Sequence, residues 1–405
     1  MTNEARWLAR TRTSADAMPS RAMAVPTSDT IFFGGGLPDP RRHPTESLST
    51  FLGELLSTRD AASLSYSYGR GDPELRHEIA RRATERGSVE VTPSQVVVTN
   101  GSSGALALTA LALIEAGDVV LCEELTYPAA ISTFRQMGAR VVPIAIDGDG
   151  MCTDQLDATM ARLARDGARL KLVYTIATCH SPTGTTLHDA RRRELVDLAE
   201  RYDVVLVQDA TYADIWFADH RAPELFELAP HRTIHVGSFS KTVAPGIRLG
   251  WATAPSTVAD VMQQVRTDLG TSPLLQRAVA RFVASGEFES HVIDGNAHYR
   301  RKRDVLLDEL NASCRDAAEW DAPDGGFFVW LRLREASVRA VEAEAARHDV
   351  GFLSAPYFSA GDCTTQGIRL AYGELSAEQI VEGVARLRQV FEASAEAVSG
   401  GRRSG

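Results

Sequence analysis

Of the 43 basic residues in this 405-residue chain only three are lysines, Lys171, Lys241 and Lys302. A reaction that needs an amine nucleophile therefore has three candidates. Lys241 stands in VGSFSKTVAPGIRLGW (236–251), where an apolar run ends, small hydroxyl residues precede the lysine, and Pro245-Gly246 force a turn before Arg248. A lysine held at a strand end can condense with an aldehyde to an imine. Ser238, Ser240 and Arg248 add hydroxyls and a fork of N–H donors suited to a phosphate. A solvated surface loop has the same composition, so the segment alone leaves both readings open.

Two other segments carry comparable chemistry. VVLVQDATYADIWF (204–217) brings Asp209 to the carboxyl end of a strand, the edge where open α/β sheets bind ligands, with Tyr212 three residues on. A buried carboxylate there can pair with a protonated ring nitrogen and keep the ring electron-withdrawing. An Asp capping the next helix is the competing reading. VVVTNGSSGALAL (96–108) reads as strand, turn and helix, so that backbone N–H groups, Ser102 and Ser103 converge at a helix start and make an anion site. It is neither G-x-G-x-x-G nor a P-loop, and an ordinary βα turn has the same form.

The elements that must position these residues alternate along the chain. Apolar runs at Val96–Thr99, Val119–Leu121, Val141–Ile146, Leu170–Tyr174, Val204–Val207, Thr233–Val236 and Leu249–Ala254 are interleaved with helical periodicity, as in Gly104–Glu115 and Asp189–Arg201. That pattern predicts a mostly parallel sheet covered on both faces. Pro273 to Leu310 reads as one long bridging helix. FFVWLRL, GIRLAYG and a helix from Ser376 to about Glu396 then suggest a smaller α+β domain. The expected division is an N-terminal arm (1–45) joining the small domain, a large domain (46–280), the small domain (281–395) and a disordered tail (396–405).

Composition narrows the partners. Against 53 acidic residues the net charge is −10, and no basic run points to nucleic acid. No apolar stretch reaches membrane-spanning length, and the start MTNEARWLARTRTS lacks the apolar core of an export signal. Five scattered cysteines without metal-type spacing read as reduced thiols, so a cytoplasmic protein with no metal site is expected.

Taken in order, these segments resemble the fold-type I, class I/II aminotransferases, especially the branch containing 2-aminoadipate and kynurenine aminotransferases and MocR-type domains. The likeness runs from FFGGGLPDP at residue 32 to GIRLAYG at 373, through LSYSYGRGDPELR (64–76), EELTYPAA (123–130), SPTGTTL (181–187), DATY (209–212) and PDGGFFVW (323–330). It implies a large, mostly parallel seven-stranded sheet domain, a smaller α+β C-terminal domain, and pyridoxal 5′-phosphate as cofactor. In the same terms, Lys241 holds the cofactor as a Schiff base and shuttles the proton at the substrate Cα. Asp209 meets the pyridine nitrogen and Tyr212 the phenolic oxygen. Ser102, Ser103, Ser238, Ser240 and Arg248 hold the phosphate, and Tyr127 stacks on the ring. Arg369 clamps the substrate α-carboxylate, Gly36 lines the substrate side, and Tyr66 reaches the partner's phosphate, so a homodimer with shared sites is implied. Without the motif context, the tyrosines would read as packing residues.

Two departures stand out. Where the family has Q-N-P-T-G this chain reads HSPTG, with His180 and Ser181 in the Gln and Asn places. Serine is shorter and offers one donor to the cofactor's phenolic oxygen, and His180 is either an acid–base group or a loop histidine. The P-G-x-x-F segment, which borders the substrate side chain, reads SAPYFSAGD (354–362). The expected activity is aminotransfer from an amino acid to a 2-oxo acid. The alternative is a non-transaminating enzyme of specialised metabolism such as antibiotic biosynthesis, acting by decarboxylation with oxidative deamination or by β-elimination. A regulator of MocR type is a third class, disfavoured because about thirty residues precede the likeness.

Overall fold

The computed structural model describes residues 29–58, 61–66 and 69–402. Most of the expected N-terminal arm and the last three residues of the expected tail lie outside them.

Seven strands build the central sheet: β1 (Val96–Asn100), β2 (Val119–Glu123), β3 (Arg140–Ile144), β4 (Leu170–Thr175), β5 (Val205–Asp209), β6 (Thr233–Ser238) and β7 (Leu249–Thr253). Their order is β1-β7-β6-β5-β4-β2-β3, and β7 alone runs against its neighbours. The strands are near-continuous apolar runs because both faces are covered. Val97, Val120, Leu172, Val207 and Ile234 pack in one layer, and Leu121, Val173 and Leu206 in the other, as the two-residue period of a strand requires. The run expected over 141–146 divides. β3 stops at Ile144, and Ile146–Asp147 turns away to pair with Gly150–Met151. Pro143 offers no ladder N–H, which an edge strand such as β3 tolerates.

The smaller domain has four antiparallel strands, β8 (Ala318–Glu319), β9 (Phe328–Leu333), β10 (Leu353–Ser354) and β11 (Gly367–Ala371), in the order β8-β9-β11-β10. The expected bridging helix is two helices, Pro273–Ala284 and Glu287–Ser313. They part at Ser285-Gly286, where Gly286 adopts φ 81°, a left-handed conformation that continues neither helix and suits a residue without Cβ. The last helix runs Ala377–Arg402, beyond the expected end near Glu396. Its stripe Ile380, Val384, Leu387 and Phe391 meets Leu306 and Leu310 of the long helix and Val329, Leu331, Ile368 and Leu370 of the sheet. The strand Ile31–Phe32 pairs in parallel with Val350–Gly351, tying the incoming chain to this domain. The next residues, Gly34–Leu37, then line the space facing the large sheet. No helix among the described residues is long and apolar enough to cross a membrane.

Candidate active site

Because β1, β2, β4, β5 and β6 run in parallel, their carboxyl ends share one edge of the sheet, where ligands of open α/β folds sit. A cavity of about 540 Å³ lies there, and eleven of the thirteen expected site residues line it: Gly36, Ser102, Ser103, Tyr127, Ser181, Asp209, Tyr212, Ser240, Lys241, Arg248 and Arg369.

The lysines separate at once. Lys171 is partly exposed and pairs with Asp118 at 3.6 Å, while Lys302 is buried between Asp39 (2.8 Å) and the Gly373 carbonyl (2.8 Å). Only Lys241 faces the cavity. Its Nζ donates to the Gly36 carbonyl at 2.7 Å and lies 5.2 Å from the centre of the Tyr212 ring. Burial, helped by the nearby Arg369 charge, lowers its pKa to about 8, which favours the neutral, nucleophilic amine. Tyr212 donates to the same carbonyl at 3.2 Å and packs edge-on against Phe327 and Phe328. A Cβ on Gly36 would lie 2.7 Å from the Tyr212 hydroxyl and 3.0 Å from the Phe328 ring, so only glycine fits. Burial pushes the Tyr212 hydroxyl above its usual range.

Asp209 closes β5 and is buried. Oδ1 accepts from the Thr211 N–H (3.0 Å) and hydroxyl (2.6 Å), and Oδ2 accepts from the Tyr174 hydroxyl (3.1 Å). No cation forms an ion pair with it among the described residues. Burial raises its pKa, against the lowering effect of those hydrogen bonds.

At the opposite end, the helix Gly101–Leu113 starts directly after β1 and presents Ser102 and Ser103. Arg248 adopts a left-handed φ of 53° and reaches back to the Asn100 carbonyl at 3.4 Å. β7 presses close to this turn: a Cβ on Gly250 would lie 2.6 Å from the Ser102 nitrogen. Ser238 does not reach the cavity wall as expected. Its hydroxyl donates to Ser240 Oγ (3.0 Å) and accepts from the Ser240 N–H (3.1 Å), because the last residue of β6 points behind the loop it orients. Tyr66 is also away from this cavity, 68% exposed beside a separate hollow lined by Arg70, Arg76 and Arg277.

Arg369, on β11, comes from the small domain. It is buried, donates to Ser181 Oγ (3.2 Å) and the Gly34 carbonyl (2.5 Å), and is stacked 4.2 Å from Phe328 and 4.7 Å from Phe358. Its Nε has no partner, and burial lowers its pKa to about 10. No carboxylate lies within ion-pair distance among the described residues, so this buried cation lacks an anion. Ser181, in the Asn place, thus accepts from the arginine. His180 turns away from the cavity: Nδ1 meets Thr183 Oγ1 at 2.8 Å, Nε2 lies 3.9 Å from Glu123, and burial lowers its pKa to about 3. It is a buried loop histidine, without the geometry for acid–base work in the cavity.

A cation-free carboxylate, a partly desolvated amine and a helix start flanked by two serines and an arginine match the ring nitrogen, aldehyde and phosphate of pyridoxal phosphate. The family model for class I and II aminotransferases matches residues 54–387. The chain belongs to that family. As an aminotransferase it depends on pyridoxal phosphate, which supplies an aldehyde carbon and an electron-withdrawing ring. It is 30% identical to an aromatic-amino-acid aminotransferase of Thermococcus litoralis over 91% of this chain and 89% of that one. The multiple substrate aminotransferase of Thermococcus profundus superposes with a TM-score of 0.91 at 28% identity, covering 97% of this chain and all of the other. The α-aminoadipate aminotransferase of Thermus thermophilus, complexed with a phosphopyridoxyl-leucine, gives 0.88 at 28% identity over 96% and 99%.

Several residues of this aminotransferase site escape sequence reading. Tyr174 and Thr211 hold Asp209, and Phe328 and Phe358 sandwich Arg369. His291, on the long helix, has Nε2 2.8 Å from the carbonyl of Thr242, the residue after the lysine. Thr211 could have been found from its place two residues after Asp209. The others meet the site only through the fold.

Proposed function

We propose that this aminotransferase moves the amino group of an amino acid to a 2-oxo acid, with each expected site residue in the role its position allows. Lys241 binds the cofactor's aldehyde carbon and carries the proton at the substrate Cα. Asp209 holds the ring nitrogen, Tyr212 and Ser181 reach the phenolic oxygen, and Tyr127 lies against the ring. Ser102, Ser103, Ser240 and Arg248 receive the phosphate, with Ser238 orienting Ser240. Arg369 takes the α-carboxylate, and Gly36 leaves room beside it. The carrying observation is that the one lysine facing the cavity shares it with a buried arginine that has no anion.

The reading includes a homodimer in the cytoplasm. Supporting it, Leu56, Leu64, Tyr66 and Leu269 are exposed large apolar side chains, and Tyr66 lies outside its own chain's cavity. The free cysteines accord with a reducing compartment. The test is a panel of amino acids with and without a 2-oxo acid, in air and under nitrogen, on wild type and Lys241→Ala. New amino acid should form only with the acceptor present, and Lys241→Ala should lose both turnover and the visible cofactor band. Product release without acceptor, or oxygen consumption, would favour elimination or oxidative deamination instead. A reducible adduct persisting in Lys241→Ala would place the aldehyde on another lysine.

A further inference from the structure

A second hollow, of about 90 Å³, adjoins the catalytic cavity from behind. Ala210 follows Asp209, Ala213 follows Tyr212 and Ser238 orients Ser240, and these three line the second hollow rather than the first. The remaining walls include the helix Pro73–Arg86, the loop after it and one face of β6 and β7. On that face Trp251 stands opposite Gly237, and Thr253 opposite His235. A Cβ on Gly237 would lie 2.2 Å from the Trp251 ring, so the glycine gives the indole its place. Phe239 lies 4.9 Å from Trp251, and Phe226 meets His235 edge-on at 6.5 Å, so four rings border one hollow. His235 is partly exposed although its strand is interior to the sheet.

We infer that this hollow is a second ligand site and that it takes a small, uncharged aromatic molecule with one polar group. Thr253 Oγ1 is buried without a hydrogen-bond partner. The His235 ring nitrogens and the Trp251 N–H also lack one among the described residues. An unpaired polar atom away from water costs free energy that a polar group on a guest recovers. Burial holds the His235 imidazole below its usual range, so near pH 7 it is neutral and presents one N–H and one lone pair. The charged groups around the hollow already have partners. Arg82 reaches Asp214 at 2.9 Å and Glu289 at 2.5 Å, Arg86 also meets Asp214, and Arg221 reaches Glu224 at 2.5 Å. Glu227 accepts from the N–H groups of Ser88 and Glu224, both at 3.1 Å, and Glu78 pairs with Arg81 at 2.9 Å. An ionised guest would lose its hydration and enter against these pairs, a cost that an uncharged one avoids. The four rings offer faces and edges to an aromatic guest. A cavity of about 150 Å³ accepts benzene; this one is smaller but opens to solvent, which limits the guest to a single ring.

The test titrates the cofactor-loaded enzyme with phenol, benzoate and benzylamine, followed by ligand-observed NMR, in wild type and in Ala83→Phe. Ala83 lines this hollow from the helix Pro73–Arg86 and does not line the catalytic cavity, so the added ring takes the place of the guest alone. Phenol should bind at one site per chain with a Kd of about 1 mM or below, at least about tenfold tighter than either ionised analogue. In Ala83→Phe its affinity should fall by about tenfold or more, with kcat/KM for amino donors and the visible cofactor band unchanged. Val89→Phe fills the same hollow from the neighbouring loop and gives the same reading if Ala83→Phe does not fold. Benzoate or benzylamine binding as tightly as phenol would overturn the assigned class. No binding below about 10 mM, as for a hollow that holds only water, would overturn the site. Phenol affinity unchanged in the folded variants would place the ring elsewhere, with the same consequence. Each of these failures leaves aminotransfer standing.

Discussion

Replacing Lys241 by methionine should stabilise the cofactor-free protein, and the gain should depend on pH in a defined way. The wild-type amine is held at about 8 where its usual value is 10.5, by burial and the Arg369 charge. At 1.36 kcal/mol per unit, that depression corresponds to about 3 kcal/mol of unfavourable charge burial. This is an upper value, because Lys241 keeps part of its surface on the cavity. The variant also loses the 2.7 Å bond to the Gly36 carbonyl, worth about 1.5 kcal/mol or more for a charged donor. The net expectation is a Lys241→Met protein more stable by about 1 kcal/mol at pH 7. The sign of the pH effect follows from proton counts. Below pH 8 the amine is protonated in both folded and unfolded wild type, so the difference is flat. From about 8 to 10.5 the unfolded chain binds the proton and the folded one does not, so wild-type stability rises with pH relative to the variant. At about 1.36 kcal/mol per pH unit the difference should close by about pH 9 and reverse within that window, since the neutral lysine still donates to Gly36. Other titrating groups are common to both proteins and cancel in the comparison. Urea unfolding at pH 7, 8, 9 and 10, at one protein concentration, reads the difference directly. A gap that stays constant from pH 7 to 10, or widens in favour of methionine, would refute the reasoning.

Arg369→Ala removes a charge-assisted contact of about 1.5–3 kcal/mol, so kcat/KM should fall about ten- to hundredfold with the visible cofactor band intact; loss of the band would make the arginine structural. If Ser181 faces the phenolic oxygen as proposed, Ser181→Asn adds donors there and should move the pH at which the band changes colour by about one to two units; an unmoved titration would mean that the serine hydroxyl already fills the role. If Tyr66 serves the neighbouring subunit, mixing Tyr66→Ala with Lys241→Ala should regain activity, because each hybrid dimer rebuilds one intact cavity. Two impaired variants that stay impaired after subunit exchange would place Tyr66 outside the site.

The sequence was most legible where one residue's type fixes its own surroundings. Seven apolar runs became seven strands, since burial on both faces leaves no polar option along them. That Lys241, Asp209 and Arg248 stand where strands end or turn was legible, because strand ends and tight turns are local; their meeting at one cavity is what the fold adds. The helix break at Ser285-Gly286 was also visible locally, but helical periodicity on both sides masked it. Orientation was less accessible. Whether Ser238 or Ser240 meets the cavity depends on which way the last residue of β6 points, and His180 could have turned either way until Glu123 and Thr183 enclosed it. The sandwich of Phe328 and Phe358 around Arg369 joins residues from β9, β11 and a short helix, and no local pattern encodes that meeting.

The scarcity of lysine has a chemical consequence of its own. A chain that carries its positive surface charge almost wholly on arginine presents very few side-chain amines to a diffusing aldehyde. Lys302 is enclosed by Asp39 and the Gly373 carbonyl, and Lys171 is engaged by Asp118. Carbonyl compounds therefore meet two accessible side-chain amines per chain, the partly exposed Lys171 and the one beside Tyr212 and Gly36, and of these Lys241 alone faces the cavity. The fold thus obtains chemoselectivity by subtraction, and a hydride reagent should fix close to one equivalent of cofactor per polypeptide, with little adventitious glycation-like labelling elsewhere.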